Sequence, residues 1–135
     1  MDLARKLTRS QSAVEEVFRR ACFNVFAGND DDHGKNHAFL MDPDGQWRLT
    51  PAYDLTRSSN PLVSGIRAAS VNGKSANVGR LDLKRLGENQ GVHHVDVIIE
   101  EVLQAIADWP YWAQQAGLSQ FRMEQVRAEM PGTGA

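Results

Sequence analysis

Residues 12–36 read SAVEEVFRRACFNVFAGNDDDHGKN, an amphipathic stretch that runs directly into an acidic loop. Ser12 followed by Glu15 is typical of a capping box, so a helix is predicted to begin there and to end at Gly28. Its apolar face is formed by residues at helical spacing, namely Val14, Val17, Phe18, Ala21, Cys22, Val25 and Phe26. The polar loop 29–36 follows at once and is predicted to lie at the end of a buried helix.

A hairpin is predicted directly after this loop. Residues 38–41 (AFLM) lead into Asp-Pro-Asp-Gly at 42–45, a strong turn sequence, and residues 47–49 (WRL) return. Thr50-Pro51 ends the second strand, and Asp54 follows shortly. We therefore expect a short antiparallel hairpin between the acidic loop and Asp54.

The remainder is predicted to be helical apart from a turn at Asn72-Gly73. A short helix capped by Asp82 is expected to end near Gly91, and an amphipathic helix covers residues 95–106. Pro110 is expected to open the next helix and Ser119 to cap the last one. The sequence thus predicts a mainly α domain over residues 1–130 with one small β-hairpin, followed by a disordered tail, 131–135.

Composition narrows the function classes. Hydrophobic residues make up 41% and charged residues 24% of 135 residues, which is typical of a globular domain. The net charge of −2 gives no support to direct binding of nucleic acid or of an anionic membrane. Cys22 is the only cysteine and lies on the apolar helical face, so a buried thiol and a reducing, cytoplasmic location are expected.

The acidic loop carries the spacing needed for phosphoryl transfer. That reaction requires Mg²⁺ against the phosphates and a carboxylate that takes the proton of the attacking hydroxyl. Asp31 and Asn36 have the Asp-x-x-x-x-Asn spacing of kinase catalytic loops, with Asp54 after the hairpin. Because the strands of a hairpin are antiparallel, Asn36 and Asp54 should return to the same end. We therefore predict Asp31 as the base and Asn36 and Asp54 as Mg²⁺ ligands, with Asp30 and Asp32 as alternatives that lack this spacing.

The segments NDDDHGKN at 29–36 and LTPAYDL at 49–55 closely resemble the C-terminal region of HipA-family serine/threonine kinases, the toxins of bacterial toxin–antitoxin pairs. SVNGK at 70–74 also resembles that family. The resemblance implies a kinase-like C-lobe, ATP and Mg²⁺ as cofactors, and the same roles for Asp31, Asn36 and Asp54. It further implies protein substrates such as aminoacyl-tRNA synthetases and a DNA-binding antitoxin as partner. Since no Gly-rich loop precedes Asp31, we expect a C-terminal piece that lacks the N-terminal kinase lobe and has very weak or no activity alone.

Other interpretations stay open for the loop. His33 and Lys35 could contact phosphate, or they could be a structural imidazole and a solvated lysine. A zinc site built on His33 and His37 lacks a third ligand of suitable spacing. Two rival functions are a non-catalytic binding module with the same fold and a metal-dependent hydrolase that uses the aspartates at 30–32.

Overall fold

The computed structural model describes residues 1–58 and 66–133. These residues form six α-helices and two antiparallel hairpins, so the predicted mainly α class is confirmed, with one hairpin more than predicted. The helices are α1 (Asp2–Thr8), α2 (Gln11–Ala27), α3 (Arg80–Asn89), α4 (Val95–Ala107), α5 (Trp109–Gln115) and α6 (Gln120–Ala128). The strands are β1 (Phe39–Met41), β2 (Trp47–Leu49), β3 (Ile66–Val71) and β4 (Lys74–Ala76).

Helix α2 begins earlier than the sequence predicted. The N-cap is Ser10, whose Oγ accepts a hydrogen bond from the Ala13 amide at 3.4 Å, so the predicted cap at Ser12 is wrong. The reason lies in the preceding helix α1, which the sequence analysis did not predict. It ends at Arg9 in the left-handed conformation, and Ser10 is extended, so the chain is already helical when it reaches Ser12. The predicted end at Gly28 is confirmed, with φ of 73°.

The core lies between α2 and α4, with α3 packed against both. Val14 and Phe18 of α2 are fully buried together with Leu83 of α3 and Ile99 of α4. Cys22 is also fully buried, as predicted. Burial raises the pKa of its thiol to about 12, which keeps the sulfur protonated and excludes it as a nucleophile at neutral pH.

The helices after residue 79 lie where they were predicted, but some of them begin at a different residue. Asp82 is the third helical residue of α3 rather than its cap, and its carboxylate accepts from the backbone N–H of Gly79 at 2.9 Å. Asp82 therefore stabilises the helix start from inside the first turn, where an acidic group also favours the helix dipole. The predicted helix at 95–106 and the Ser119 cap of α6 are confirmed, whereas α5 begins at Trp109, so Pro110 is its second residue and not the first as predicted.

The second hairpin was predicted only as a turn. Asn72 and Gly73 have φ of 51° and 79° and connect β3 to β4, which confirms the turn at these residues. The strand β3 itself escaped prediction because one of its buried positions is the charged residue Arg67, so the apolar alternation expected of a strand is interrupted.

The last described residues pack back on α2. Pro131–Thr133 form a turn of 3-10 helix, although the tail 131–135 was predicted to be disordered, and residues 134–135 lie outside the described part. Gly132 is so close to α2 that an added Cβ would lie 2.7 Å from Phe26 Cβ. In the described ranges, no helix has the length and apolarity needed to cross a bilayer.

A glycine at the contact between α3 and its neighbours provides a test of this packing. An added Cβ at Gly87 would lie 2.8 Å from Val95 Cγ2 and 3.0 Å from Phe18 Cζ, inside the core. We expect Gly87→Ala to lower the free energy of unfolding by about 1–3 kcal/mol because these side chains must move apart. Chemical denaturation measures the change. Gly34→Ala, whose added Cβ meets nothing within 4 Å, is the control and should change stability by less than about 0.5 kcal/mol. Equal effects of the two substitutions would contradict this packing.

Candidate functional site

The acidic loop is attached to the end of α2 through Asn29, a side chain with 1% exposure. Its Nδ2 donates to Asn24 Oδ1 at 3.1 Å and to the Asp54 carbonyl at 3.3 Å. Its Oδ1 accepts from Ser58 Oγ at 2.9 Å. One buried amide therefore joins the last turn of α2, the start of the loop and the segment that follows the first hairpin.

Arg67 of β3 also binds the loop, through hydrogen bonds from its guanidinium. Its Nη1 donates to the carbonyls of Asn24 and Asn29, both at 3.1 Å, and its Nη2 donates to Asp32 Oδ2 at 2.8 Å. The side chains of Arg67 and Asp32 are 6% and 7% exposed, so this ion pair is buried. Burial lowers the pKa of the guanidinium, and the charges of Asp32 and Asp30 act in the opposite direction. The loop is thus fixed by one arginine with three acceptors.

The three consecutive aspartates occupy different environments. Asp32 is committed to Arg67, whereas Asp31 is exposed and its carboxylate makes no hydrogen bond or ion pair to the described residues. The backbone around Asp31 is nevertheless fixed, because its amide donates to Ser58 Oγ at 3.0 Å. At Asp30, the carbonyl accepts from the Ala68 amide of β3 at 2.8 Å. An exposed carboxylate on a fixed backbone is suited to accept a proton from a bound hydroxyl.

Asn36 closes a single 3-10 turn, Gly34–Asn36, at the end of the loop. It is 9% exposed, and its Nδ2 donates to the Asp31 carbonyl at 3.4 Å. Within the part of the chain that the structure describes, its Oδ1 accepts no hydrogen bond. That amide oxygen, a hard ligand, therefore remains available to a divalent cation.

The first hairpin brings Asp54 to the loop. Strands β1 and β2 pair antiparallel from Phe39↔Leu49 to Met41↔Trp47. Beyond them, Tyr53 Oη donates to the Lys35 carbonyl at 2.6 Å, and the Asp54 carbonyl accepts from Asn29 Nδ2 at 3.3 Å. The segment 53–54 thus contacts the loop near both of its ends, next to Asn36.

The backbone of Asp54 is strained. Its φ is 55°, a left-handed conformation that residues other than glycine rarely adopt. Its side chain is exposed. Strained residues of this kind persist where surrounding bonds fix them and are concentrated at functional sites. The exposed carboxylate of Asp54 is therefore a candidate functional group.

The remaining loop residues are less constrained. The Lys35 side chain is exposed, while His33 has an Nδ1 that is buried without a partner among the described residues. His37 is half-buried, and burial lowers the pKa of its imidazole. Among residues 1–58 and 66–133, no three His, Cys, Asp or Glu side chains cluster in a way that could hold a metal ion. This gives no support to zinc coordination or to a site formed by the aspartates alone.

Three residues that organise the loop were not predicted: Asn24, Ser58 and Arg67. Asn24 could have been found, since it is a polar residue in the last, mostly apolar turns of α2. Ser58 carried no such signal. Arg67 lies 35 positions from Asp32, and only the tertiary structure shows that they pair.

The comparisons with known proteins relate the chain to a family and to a curated protein. A family model described as the HipA-like C-terminal domain matches residues 1–110. The serine/threonine-protein kinase toxin HipA of Shewanella oneidensis is 43% identical over 53 residues. That alignment covers 39% of this chain and 12% of the relative, so the chain corresponds to a small part of the relative's length.

The Arg67–Asp32 pair can be tested by the same substitution at adjacent residues. Asp32→Asn removes the charge that balances Arg67, and we expect a loss of about 3–5 kcal/mol in the free energy of unfolding because the guanidinium stays buried and unpaired. Asp31→Asn is the matched control and should change stability by less than about 0.5 kcal/mol, since its carboxylate is exposed. Urea denaturation measures both, and a larger loss for Asp31→Asn would refute the assignment.

The burial of His37 predicts a pH dependence of stability. Its folded-state pKa is lowered from 6.5, so the unfolded chain takes up a proton first as the pH falls. The stability present above about pH 6.5 is therefore lost progressively as the pH falls toward the folded-state pKa. His37→Asn should reduce the difference in Tm between about pH 7.5 and 5.5. His94→Asn, at an exposed imidazole, should leave that difference in place; a slope unchanged by His37→Asn would contradict this prediction.

Proposed function

Because the chain belongs to the HipA-like C-terminal domain family, we propose that it supplies the catalytic loop and the metal ligands of a serine/threonine protein kinase. In this proposal its helices and hairpins form a kinase-like C-lobe. The observation that carries the proposal is the division among the aspartates: Asp32 is buried against Arg67, whereas Asp31 is exposed on a loop that is bonded to the Asp54 segment.

Asp31 acts as the base. Its carboxylate accepts a hydrogen bond from the serine or threonine hydroxyl of the substrate and takes the proton as the oxygen attacks the γ-phosphorus of ATP. The bond to the β-phosphate oxygen breaks, and ADP leaves. Because Ser58 and Ala68 hold the loop backbone at 30–31, the backbone that carries the carboxylate is already in place when the substrate arrives.

Asn36 and Asp54 would hold Mg²⁺, because an amide oxygen and a carboxylate are hard ligands that this ion prefers. When bound, the ion neutralises charge on the transferring phosphoryl group. Lys35 carries an exposed ammonium on the same loop and is proposed to contact phosphate, and His33 is proposed as a second phosphate contact.

The wider biological role follows from the family. We propose that the protein works as the toxin of a toxin–antitoxin pair in the cytoplasm, with a DNA-binding antitoxin as partner. A protein substrate such as an aminoacyl-tRNA synthetase and a nucleotide-binding lobe that grips ATP belong to the same proposal.

A non-catalytic binding module is the second candidate. It is favoured by apolar side chains exposed on the first hairpin, where Leu40 is 65% and Met41 58% exposed. Such residues mark surfaces that bind another protein or another lobe. The two candidates differ in metal binding, which only the kinase requires.

Metal binding tests the ligand assignment on the chain itself. Mn²⁺, a substitute for Mg²⁺, can be titrated while the relaxation of water protons is followed. We expect Asp54→Asn and Asn36→Ala each to weaken binding by about tenfold or more, because each removes an oxygen ligand. Asp44→Asn, an exposed aspartate in the hairpin turn, is the control and should bind Mn²⁺ as the unchanged chain does. Unaltered affinity in Asp54→Asn would favour the binding module.

Phosphoryl transfer tests the base. In a kinase that joins this chain to a nucleotide-binding lobe, Asp31→Asn is expected to lower kcat by a factor of about 10²–10⁴ because the proton has no acceptor. The affinity for Mn²⁺ should change little, since Asp31 is not a proposed ligand. Normal turnover in Asp31→Asn would remove it from the mechanism.

A further inference from the structure

A cavity lined in part by Leu55 and Arg57 contains none of the residues to which the phosphoryl transfer is assigned. Its volume is about 420 Å³, within the range of small-molecule sites of about 300–1,000 Å³. It is formed where α2, α4, α5 and α6 meet the segment at 55–57. The lining is mostly apolar and includes Phe23, Leu55, Ile106, Trp109, Trp112 and Val126.

Two arginines are the charged residues of this lining, and no carboxylate belongs to it in the described part of the chain. Arg57 donates through Nη2 to Glu129, but its Nε is buried and lacks a partner among the described residues. Arg122 donates through Nη1 to the neutral Gln125 at 2.6 Å. A buried donor without an acceptor is unfavourable, and a ligand oxygen would satisfy it. The cavity therefore combines an apolar body with two polar groups: the unpartnered Nε of Arg57, whose charge Glu129 balances, and the guanidinium of Arg122, which has no carboxylate partner among the described residues.

Two tryptophans line the cavity, and they provide an exposed aromatic surface and a fluorescence signal. Trp109 is held in place by a hydrogen bond from Nε1 to the Met123 carbonyl at 3.2 Å. Trp112 is 59% exposed and makes an edge-on contact with Tyr111, with ring centroids 4.9 Å apart. An exposed aromatic surface at the mouth of an apolar cavity is unusual unless something covers it. Both indoles would also report a ligand through their fluorescence.

We infer that this cavity binds a small amphipathic anion, with an apolar chain or ring between the tryptophans and a carboxylate or phosphate against Arg57 and Arg122. The lining from five segments favours a compact ligand, and Arg122 together with the unpartnered Nε of Arg57 favours an anionic one. Leu55 lines the cavity and directly follows Asp54, so an occupant contacts the residue next to the proposed metal ligand. Binding itself does not depend on the proposed kinase activity.

Decanoate, at concentrations below its micelle formation, is a suitable probe, with decanol as the neutral partner of equal chain length. Titration followed by tryptophan fluorescence should be saturable for both, with decanoate bound about tenfold more tightly than decanol because of its charge. Arg57→Gln should reduce that preference to less than about threefold while the binding of decanol stays unchanged. Equal affinity for the two probes in the unchanged chain would overturn the anionic assignment.

Ala105→Phe tests the cavity itself. Ala105 is an exposed residue of α4 at the cavity wall, so the larger side chain can occupy the space without entering the core. We expect it to weaken both probes by about tenfold or more, since it removes the volume that they fill. Arg48→Gln, on the distant first hairpin, is the control and should leave both affinities unchanged.

If Ala105→Phe leaves probe binding intact, the cavity is not the site. If the chain instead dimerises and Ala105→Phe abolishes the dimer, a second copy occupies this surface and the small-molecule inference is wrong.

Discussion

The buried ion pair between Arg67 and Asp32 is the interaction on which the acidic loop depends. Removing two charges from water is costly, and an isolated buried pair can fail to recover that cost. Here the guanidinium also satisfies the carbonyls of Asn24 and Asn29, so the charge is surrounded by three acceptors rather than one. The arrangement converts a flexible polar segment into a fixed one, because its geometry is set by directional bonds from β3.

Fixing the loop also separates the functions of neighbouring residues. Asp32 points its charge into the protein, and Asp31 keeps an exposed carboxylate on a backbone that Ser58 holds. The Asn29 amide then connects this loop to the strained residue Asp54. The last turn of α2, the second hairpin and the segment at 53–58 therefore converge on one loop, which is the physical basis for proposing a preorganised kinase site.

Local features of the fold and of the candidate site could be predicted from the sequence, whereas the tertiary contacts could not. The spacing of Asp31, Asn36 and Asp54 is visible in the chain because only one short hairpin separates the loop from Asp54. The long helices were also predictable, since their apolar faces are periodic over three or more turns. The start of α2 was placed two residues late because a capping box at Ser12 is a local signal, while α1 and the extended Ser10 decide the real boundary. Strand β3 was missed because its buried arginine is recognisable as an interior residue only when its partner Asp32 is known.

The central claim is that Asp32 is structural while Asn36 and Asp54 are left to bind metal. Anomalous scattering from Mn²⁺ in crystals of the chain tests it most directly, because the metal and its ligands are then seen together. The account predicts Mn²⁺ bound by Asn36 Oδ1 and the Asp54 carboxylate, with Asp32 still paired to Arg67. A metal bound by Asp32, with the pair to Arg67 broken, would contradict it.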